Sequence, residues 1–199
     1  MKSPLHYQVS EFDCGPATLM NMVLFLYERK EVPQDVISKI YEITLDGYKT
    51  VGIEKGKHGT SDEAMIRFAD WISSLTFGSF AINSEIIAGS QVKMESGGII
   101  EKTLASGGAV VAKVHIGDPH YVLFTGVDPK KQLVYLFDPY YRNKQFRKPD
   151  LLWTQDHPGQ YNCVVPYAYF NRSRRIYYAF GKEKQRLCVL YHFPDSKEK

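Results

Sequence analysis

The first third of the chain places apolar residues at helical spacing. Before Pro33 they recur every three or four positions, which predicts one helix that ends ahead of this proline. A second helix is expected to follow Pro33, and a third to begin after Thr60 or Ser61, since either side chain suits an N-cap. The polar side of the first helix is predicted to include Asn21, and its apolar stripe Ala17, Met20, Leu24 and Tyr27.

The second half of the chain changes to strand patterning. After a short helix predicted within residues 97–108, three apolar runs follow at 109–116, 120–127 and 132–138, separated by turn sequences. Links this short join neighbouring antiparallel strands. Helices followed by an antiparallel sheet predict the α+β class, with an N-terminal helical part packed on the sheet. Residues 44–60 show little periodicity and are predicted to form a surface loop.

Composition and charge narrow the class of protein. With 199 residues, 44% of them hydrophobic, we expect a single domain spanning residues 1–199. The net charge of +3 is too small to indicate nucleic acid or an anionic membrane. Residues 1–141 carry 13 basic and 17 acidic side chains, whereas residues 142–199 carry 12 and 5. Residues 156–199 are therefore interpreted as a basic, aromatic extension of the same domain.

Cysteine and histidine usage adds further expectations. Cys14, Cys163 and Cys188 form no CxxC pair, and an odd number of cysteines leaves one unpaired, which indicates a reducing compartment. The chain shows no secretory pattern and no apolar run near the ~20 residues that cross a bilayer, so we expect a cytoplasmic protein without membrane contact. We expect no cofactor. We also expect no metal, because four histidines lack ligand spacing with cysteine, glutamate or each other: His6, His58, His157 and His192.

Cys14 stands where the first predicted helix begins. Free backbone N–H groups and the helix dipole at such a position favour a negatively charged thiolate, the form that attacks carbonyl carbons. Gln8 lies six residues earlier, and its side-chain N–H can donate to the oxyanion formed in that attack. An isolated cysteine is more often a small buried hydrophobe, and Cys163 and Cys188, which lie among apolar residues, are interpreted in that way.

His120 and Asp138 stand at the ends of two predicted neighbouring strands that meet in space. They could therefore supply a general base and the carboxylate that orients it. A connection of three or five residues would place the two side chains on one face, whereas a connection of four would place them on opposite faces. His115 alternates within an apolar strand and is interpreted as a satisfied or edge residue, and as the backup base.

Five motifs follow one another over about residues 5–155. They are Gln8 with Cys14 in QVSEFDCGPA, then Gly59-Thr60-Ser61, His120-Tyr121-Val122, Gly126 and Asp138-Pro139. Their order and spacing resemble the C39 peptidase family of the papain-like cysteine peptidases. Since the chain shows neither membrane spans nor a nucleotide-binding loop, it resembles the stand-alone C39-like proteins rather than the peptidase domains of bacteriocin-exporting transporters.

The resemblance implies a papain-like fold and a bacterial cysteine peptidase. It implies Cys14 as nucleophile, His120 as general base, Asp138 as orienting carboxylate and Gln8 as oxyanion donor, acting on a peptide or acyl substrate. Two alternatives stay open. One is an acyltransferase that passes the same thioester to an amine or thiol, and the other is a catalytically silent binding module.

The arginine cluster of the C-terminal segment allows three interpretations. Arg172, Arg174 and Arg175 lie among aromatic residues, a composition also found in nucleic-acid-binding surfaces. Aromatic residues in strands are usually core and arginines are usually solvated, so we expect no nucleic-acid partner. The intermediate interpretation is a basic surface that receives an acidic substrate. No pattern in the sequence predicts the oligomeric state.

Overall fold

The computed structural model describes residues 3–49, 56–57 and 59–194. The α-helices are α1 (Cys14–Leu26), α2 (Gln34–Ile43), α3 (Asp62–Ser74), α4 (Ile99–Ala105) and α5 (Tyr167–Phe170). The strands are β1 (Tyr48–Lys49), β2 (Gly56–Lys57), β3 (Thr76–Phe77), β4 (Phe80–Ala81), β5 (Asn83–Ala88), β6 (Ala109–His115), β7 (Pro119–Asp128), β8 (Leu133–Phe137), β9 (Leu152–Trp153), β10 (Cys163–Pro166) and β11 (Leu187–His192). Short 3-10 helices cover Arg29–Glu31, Gly89–Gln91 and Glu183–Gln185.

A seven-stranded antiparallel sheet organises the molecule. Its strand order is β5-β11-β6-β7-β8-β10-β9, and each neighbouring pair runs antiparallel. The three central strands β6, β7 and β8 form the meander expected from the sequence. Strand β11 inserts between β5 and β6, so this strand of the region 156–194 lies inside the sheet rather than at its edge. The α+β class with a helical N-terminal part is confirmed.

Side-chain alternation along the strands divides the core into two layers. On β6, Val111 packs in the layer that contains helices α1, α2 and α3, which we call the helix face. Its neighbours Val110 and Ala112 pack in the other layer with helix α4 and the C-terminal segment, which we call the opposite face. Both faces of the sheet are therefore covered, and functional groups can reach its ends from either side.

Two local predictions need correction. Part of the predicted loop at 44–60 forms a two-stranded antiparallel ribbon, β1 with β2, while residues 50–55 and 58 lie outside the described residues. Asn21, assigned to a polar side of α1, is completely buried. Helix α1 is buried on most of its surface because it packs between the sheet and the other helices, so it has no continuous solvent-facing side. In the described ranges, no helix is long and apolar enough to cross a membrane.

Candidate active site

Three side chains along α1 connect this helix to the rest of the site. Cys14, Thr18 and Asn21 are spaced four and three residues apart and therefore lie along one side of the helix. The Thr18 hydroxyl donates to the carbonyl oxygen of Tyr121 at 3.0 Å, next to His120 on β7. The Asn21 amide exchanges hydrogen bonds with the backbone of His6, at 2.7 and 2.8 Å. These two hydrogen bonds with the buried Asn21 hold the N-terminal segment that carries Gln8.

The start of α1 is packed against the start of α3. A Cβ atom at Gly15 would lie 2.3 Å from the hydroxyl oxygen of Thr60, so only glycine permits this approach. The next residue, Ser61, is the N-cap of α3 and accepts a hydrogen bond from the Ala64 N–H at 3.0 Å. The Gly59-Thr60-Ser61 sequence therefore holds the N-terminal end of the cysteine helix in place.

A β-bulge decides how β7 and β8 align. The two strands are joined by four residues, 129–132, the length that by itself would put His120 and Asp138 on opposite faces. The ladder changes register by one residue at Thr125, between its neighbours on β7. The extra residue reverses the effect of the four-residue link on which face each side chain occupies. The apolar periodicity of the sequence gave no sign of this bulge.

The register after this offset brings the two side chains together. Leu123 pairs with Phe137, and extending the pairing by one residue places Asp138 opposite Val122. His120 is then diagonal to Asp138 on the same face, a distance that long side chains span. Its Nε2 lies 2.7 Å from Asp138 Oδ1.

Donors surround the Asp138 carboxylate, which has no exposed surface. In addition to His120, Oδ1 accepts the Tyr140 backbone N–H at 2.9 Å. The other oxygen, Oδ2, accepts the Tyr178 hydroxyl at 2.9 Å and lies 3.8 Å from Arg142 Nη2. Burial alone would raise the pKa of Asp138, but the charge and hydrogen bond of His120, with the Tyr140 N–H and Arg142, hold it below its usual value. The carboxylate is therefore ionised.

His120 is held as a cation by the groups on either side of its ring. Burial opposes its protonation, but the charge and hydrogen bond of Asp138, together with the Cys14 side chain, raise its pKa from 6.5 to about 10. Since Nε2 is bonded to Asp138, Nδ1 is the nitrogen left for the thiol of Cys14. A histidine cation between a carboxylate and a thiol is the arrangement that stabilises a thiolate.

Gln8 reaches the site from the segment before α1. Its backbone N–H donates to the Pro139 carbonyl oxygen at 2.9 Å, which ties this segment to the residue after Asp138. One hydrogen of its side-chain amide is used on the Ser10 carbonyl oxygen, at 2.6 Å, so one N–H remains for a ligand. The Asp13 carboxylate accepts the backbone N–H groups of residues 9 and 10, and thereby fixes the turn between Gln8 and Cys14.

Gln8, Cys14 and His120 line one pocket of about 440 Å³. Arg142 and Tyr177 form another part of its wall. The pocket lies at the end of the sheet where β6 turns into β7, so the cysteine from the helix face meets the histidine from the opposite face there. A substrate carbonyl in this pocket could contact the Cys14 side chain, an N–H donor and an imidazolium together.

The Peptidase_C39 like family model matches residues 3–161, which is most of the chain. This chain belongs to that family. A comparison with curated proteins finds no match. The matched part of the C39-like chain contains Gln8, Cys14, His120 and Asp138, whereas Tyr178 lies beyond it.

The other candidate residues of this C39-like chain stay outside the pocket. His115 does not line it, and burial, with the charges of Arg175 and Lys113, lowers the pKa of His115. Cys163 and Cys188 are completely buried, and burial raises the pKa of both thiols, so they remain protonated. Within the described ranges, no three His, Cys, Asp or Glu side chains come together as metal ligands would.

The residues that enclose Asp138 were not predicted from the sequence. Arg142 packs its guanidinium against the rings of Phe146 and Tyr177, 4.6 and 5.1 Å from their centroids. Asn162 accepts the Asp138 backbone N–H at 2.7 Å and donates to its carbonyl oxygen at 2.8 Å. Neither residue belongs to a recognisable motif, and polar residues stand close to both in the sequence, so no signal set them apart.

Proposed function

We propose that this chain is a cysteine peptidase that cleaves peptide bonds with Cys14, His120 and Asp138, using Gln8 as an oxyanion donor. The observation that carries the proposal is the shared pocket, in which the thiol at the start of α1 faces a histidine bonded to a buried carboxylate. Membership of the C39-like family supports the same chemistry. No other function is favoured by a specific feature of the described residues.

The first half of the reaction forms a thioester. The Cys14 thiolate attacks the carbonyl carbon of the scissile bond, and the carbonyl electrons move to its oxygen. Gln8 and the backbone N–H of Cys14, which as the first residue of α1 has no intrahelical acceptor, donate to that oxyanion. As the C–N bond breaks, His120 Nδ1 gives its proton to the leaving nitrogen.

The second half restores the enzyme. Water gives a proton to the now neutral His120 while its oxygen attacks the thioester carbon. The C–S bond breaks, the acid product leaves and the thiolate returns beside the imidazolium. An amine in the place of water would give transfer instead of hydrolysis, so the acceptor distinguishes the peptidase from the acyltransferase.

The test is digestion of a complex peptide mixture in H₂¹⁸O, followed by mass spectrometry of new C-termini. The protein is compared with Cys14→Ala and with Cys188→Ala, which removes a buried thiol from β11. We expect ¹⁸O in new C-termini from the protein and from Cys188→Ala, and no products from Cys14→Ala. Products that carry an added amine and no ¹⁸O would replace hydrolysis by transfer, and an absence of products would contradict both.

Alkylation gives a second test that needs no substrate. A limiting dose of iodoacetamide should label Cys14 well before Cys163 or Cys188, because Cys14 lines the pocket beside His120, whereas the other two thiols have no exposed surface and burial raises their pKa. Peptide mapping of the labelled protein measures the three rates separately. Equal labelling of the three cysteines would contradict the assignment of Cys14.

A further inference from the structure

Both oxygens of the Asp138 carboxylate accept hydrogen bonds, and the donor to one of them lies beyond the residues that the family model matches. Oδ1 accepts from His120 and from the Tyr140 N–H, at 2.7 and 2.9 Å. Oδ2 accepts the hydroxyl of Tyr178 at 2.9 Å. Rotation of the carboxylate would break bonds at both oxygens, so Tyr178 helps to keep Oδ1 directed at the histidine.

A neighbouring thiol directs the Tyr178 hydroxyl. Cys163 Sγ lies 3.3 Å from the hydroxyl oxygen. A hydroxyl has one hydrogen, so a tyrosine that donates to Asp138 can only accept from the thiol. Burial raises the pKa of both Tyr178 and Cys163, so each keeps its proton. The donor chain therefore runs from Cys163 to Tyr178 and then to Asp138.

The backbone of Tyr178 is fixed in a conformation that bulky residues rarely adopt. Its φ angle is +61°, in the left-handed region. Its N–H donates to the His115 carbonyl oxygen at 2.7 Å, and its ring is completely buried next to Phe146. Such conformations persist where the surroundings fix them, and they concentrate at functional sites. Here the turn places Tyr177 on the pocket wall and Tyr178 against the carboxylate.

We propose that Tyr178 is a positioning residue that acts through Asp138, keeping the carboxylate aligned with His120. The inference rests on the proposed peptidase function. It assigns part of the active site to the C-terminal segment, outside the residues that the family model matches. Tyr178 does not line the pocket, so it affects turnover rather than substrate binding.

The test is a double-mutant cycle with Tyr178→Phe and Asp138→Asn, assayed with p-nitrophenyl acetate and corrected by the rate of Cys14→Ala. Loss of a hydrogen bond to a charged group predicts a fall in kcat of about tenfold for Tyr178→Phe, with KM unchanged. In the Asp138→Asn background, Tyr178→Phe should change kcat by less than about twofold, because the group it acts through is already gone.

The matched control is Tyr191→Phe. Tyr191 is also completely buried, but its hydroxyl has no hydrogen-bond partner among the described residues. We therefore expect the kcat and KM of Tyr191→Phe to stay within about twofold of those of the unchanged protein. An equal loss from Tyr178→Phe in both backgrounds would overturn the inference in favour of a packing role, and so would no loss in either. If Tyr178→Phe does not fold, Cys163→Ala takes its place in the same cycle. We then expect a smaller fall in kcat, seen only in the protein that retains Asp138 and not in Asp138→Asn.

Failure of this inference is distinguishable from failure of the proposed function. If Cys14→Ala hydrolyses the ester as fast as the unchanged protein, the proposed function itself fails. If Cys14→Ala is inactive while the cycle shows no coupling between Tyr178 and Asp138, only the role of Tyr178 is overturned.

Discussion

Cys14 and Asp138 serve the same pocket from regions of opposite character, Cys14 by lining it and Asp138 through its bond to His120. Cys14 lies at the start of α1 on the helix face, and residues close to it in sequence shape its surroundings, such as the turn between Gln8 and Asp13. Asp138 has no exposed surface, and its partners Asn162 and Tyr178 lie 24 and 40 residues away. The comparison teaches that the turn before a nucleophile can be set by local sequence, whereas the surroundings of a buried carboxylate also require residues from distant segments.

The largest effect is expected from Asp138→Asn. The asparagine keeps the shape of the side chain and removes the charge that holds His120 as a cation, so kcat should fall by roughly 10²–10⁴-fold. Initial rates measure the loss, and circular dichroism checks that the fold remains. If Asp138→Asn keeps its full rate, the Asp138 carboxylate is dispensable for catalysis. The difference between the surroundings of Cys14 and Asp138 would then have no consequence for activity.

The same variant tests the charge on His120 through pH. With a pKa raised from 6.5 to about 10, the imidazolium of the folded protein is lost as the pH rises through about 10. The alkaline limb of kcat/KM should therefore lie near pH 10. The stability that the raised pKa contributes is complete below pH 6.5 and should be lost progressively between pH 6.5 and about 10. In Asp138→Asn the limb should move toward lower pH, and an unmoved limb would contradict the assignment of the charge to Asp138.

On the helix side, Gln8→Ala should have the next largest effect. Loss of one oxyanion donor predicts a fall in rate on the order of 10²–10³-fold with little change in thermal stability, since the side chain is partly exposed. The single-turnover rate of Gln8→Ala with p-nitrophenyl acetate measures the effect. Val9→Ala is a suitable control, because that side chain is 95% exposed in the same turn. An unaffected rate in Gln8→Ala would remove this residue from the oxyanion site.

Patterning predicted the fold far better than the surroundings of the site. Helical spacing located α1 and α3, a capping residue marked the start of α3, and continuous apolar runs located the central strands, because these signals depend on neighbouring residues. The contact between His120 and Asp138 was expected for a different connection length, since a bulge has no signature in apolar periodicity. Tyr178 resembled a core aromatic residue, and its hydroxyl bond depends on a fold that only the complete chain specifies.

The smallest effect concerns the basic C-terminal surface, for which we propose an acidic stretch of substrate as ligand. Arg172, Arg174 and Arg175 are exposed and precede Tyr177, which lines the pocket. Replacing all three by glutamine should raise KM by about two- to tenfold at low salt and leave kcat unchanged. The difference should vanish toward ~1 M salt, where the Debye length is about 3 Å.

The control for this surface replaces three exposed lysines that do not line the pocket, Lys93, Lys102 and Lys130, by glutamine. It lowers the net charge of the protein equally and should leave KM unchanged. If both triple variants raise KM to the same extent, net charge rather than the arginine surface attracts the substrate. Unchanged kinetics in the arginine variant at low and high salt would leave the segment a structural element.

The bulge at Thr125 makes the β7–β8 hairpin sensitive to odd and even changes in its length. Removing one residue, from the bulge or from the 129–132 link, would reverse which side of the ribbon Asp138 occupies, although no side chain of the triad is altered. Removing one residue from each would restore it, and inserting two residues into the native link would leave it unchanged. Natural or engineered length variants of this hairpin are thus compatible with the active site in steps of two, and a single-residue insertion is tolerated only with a second change that compensates it.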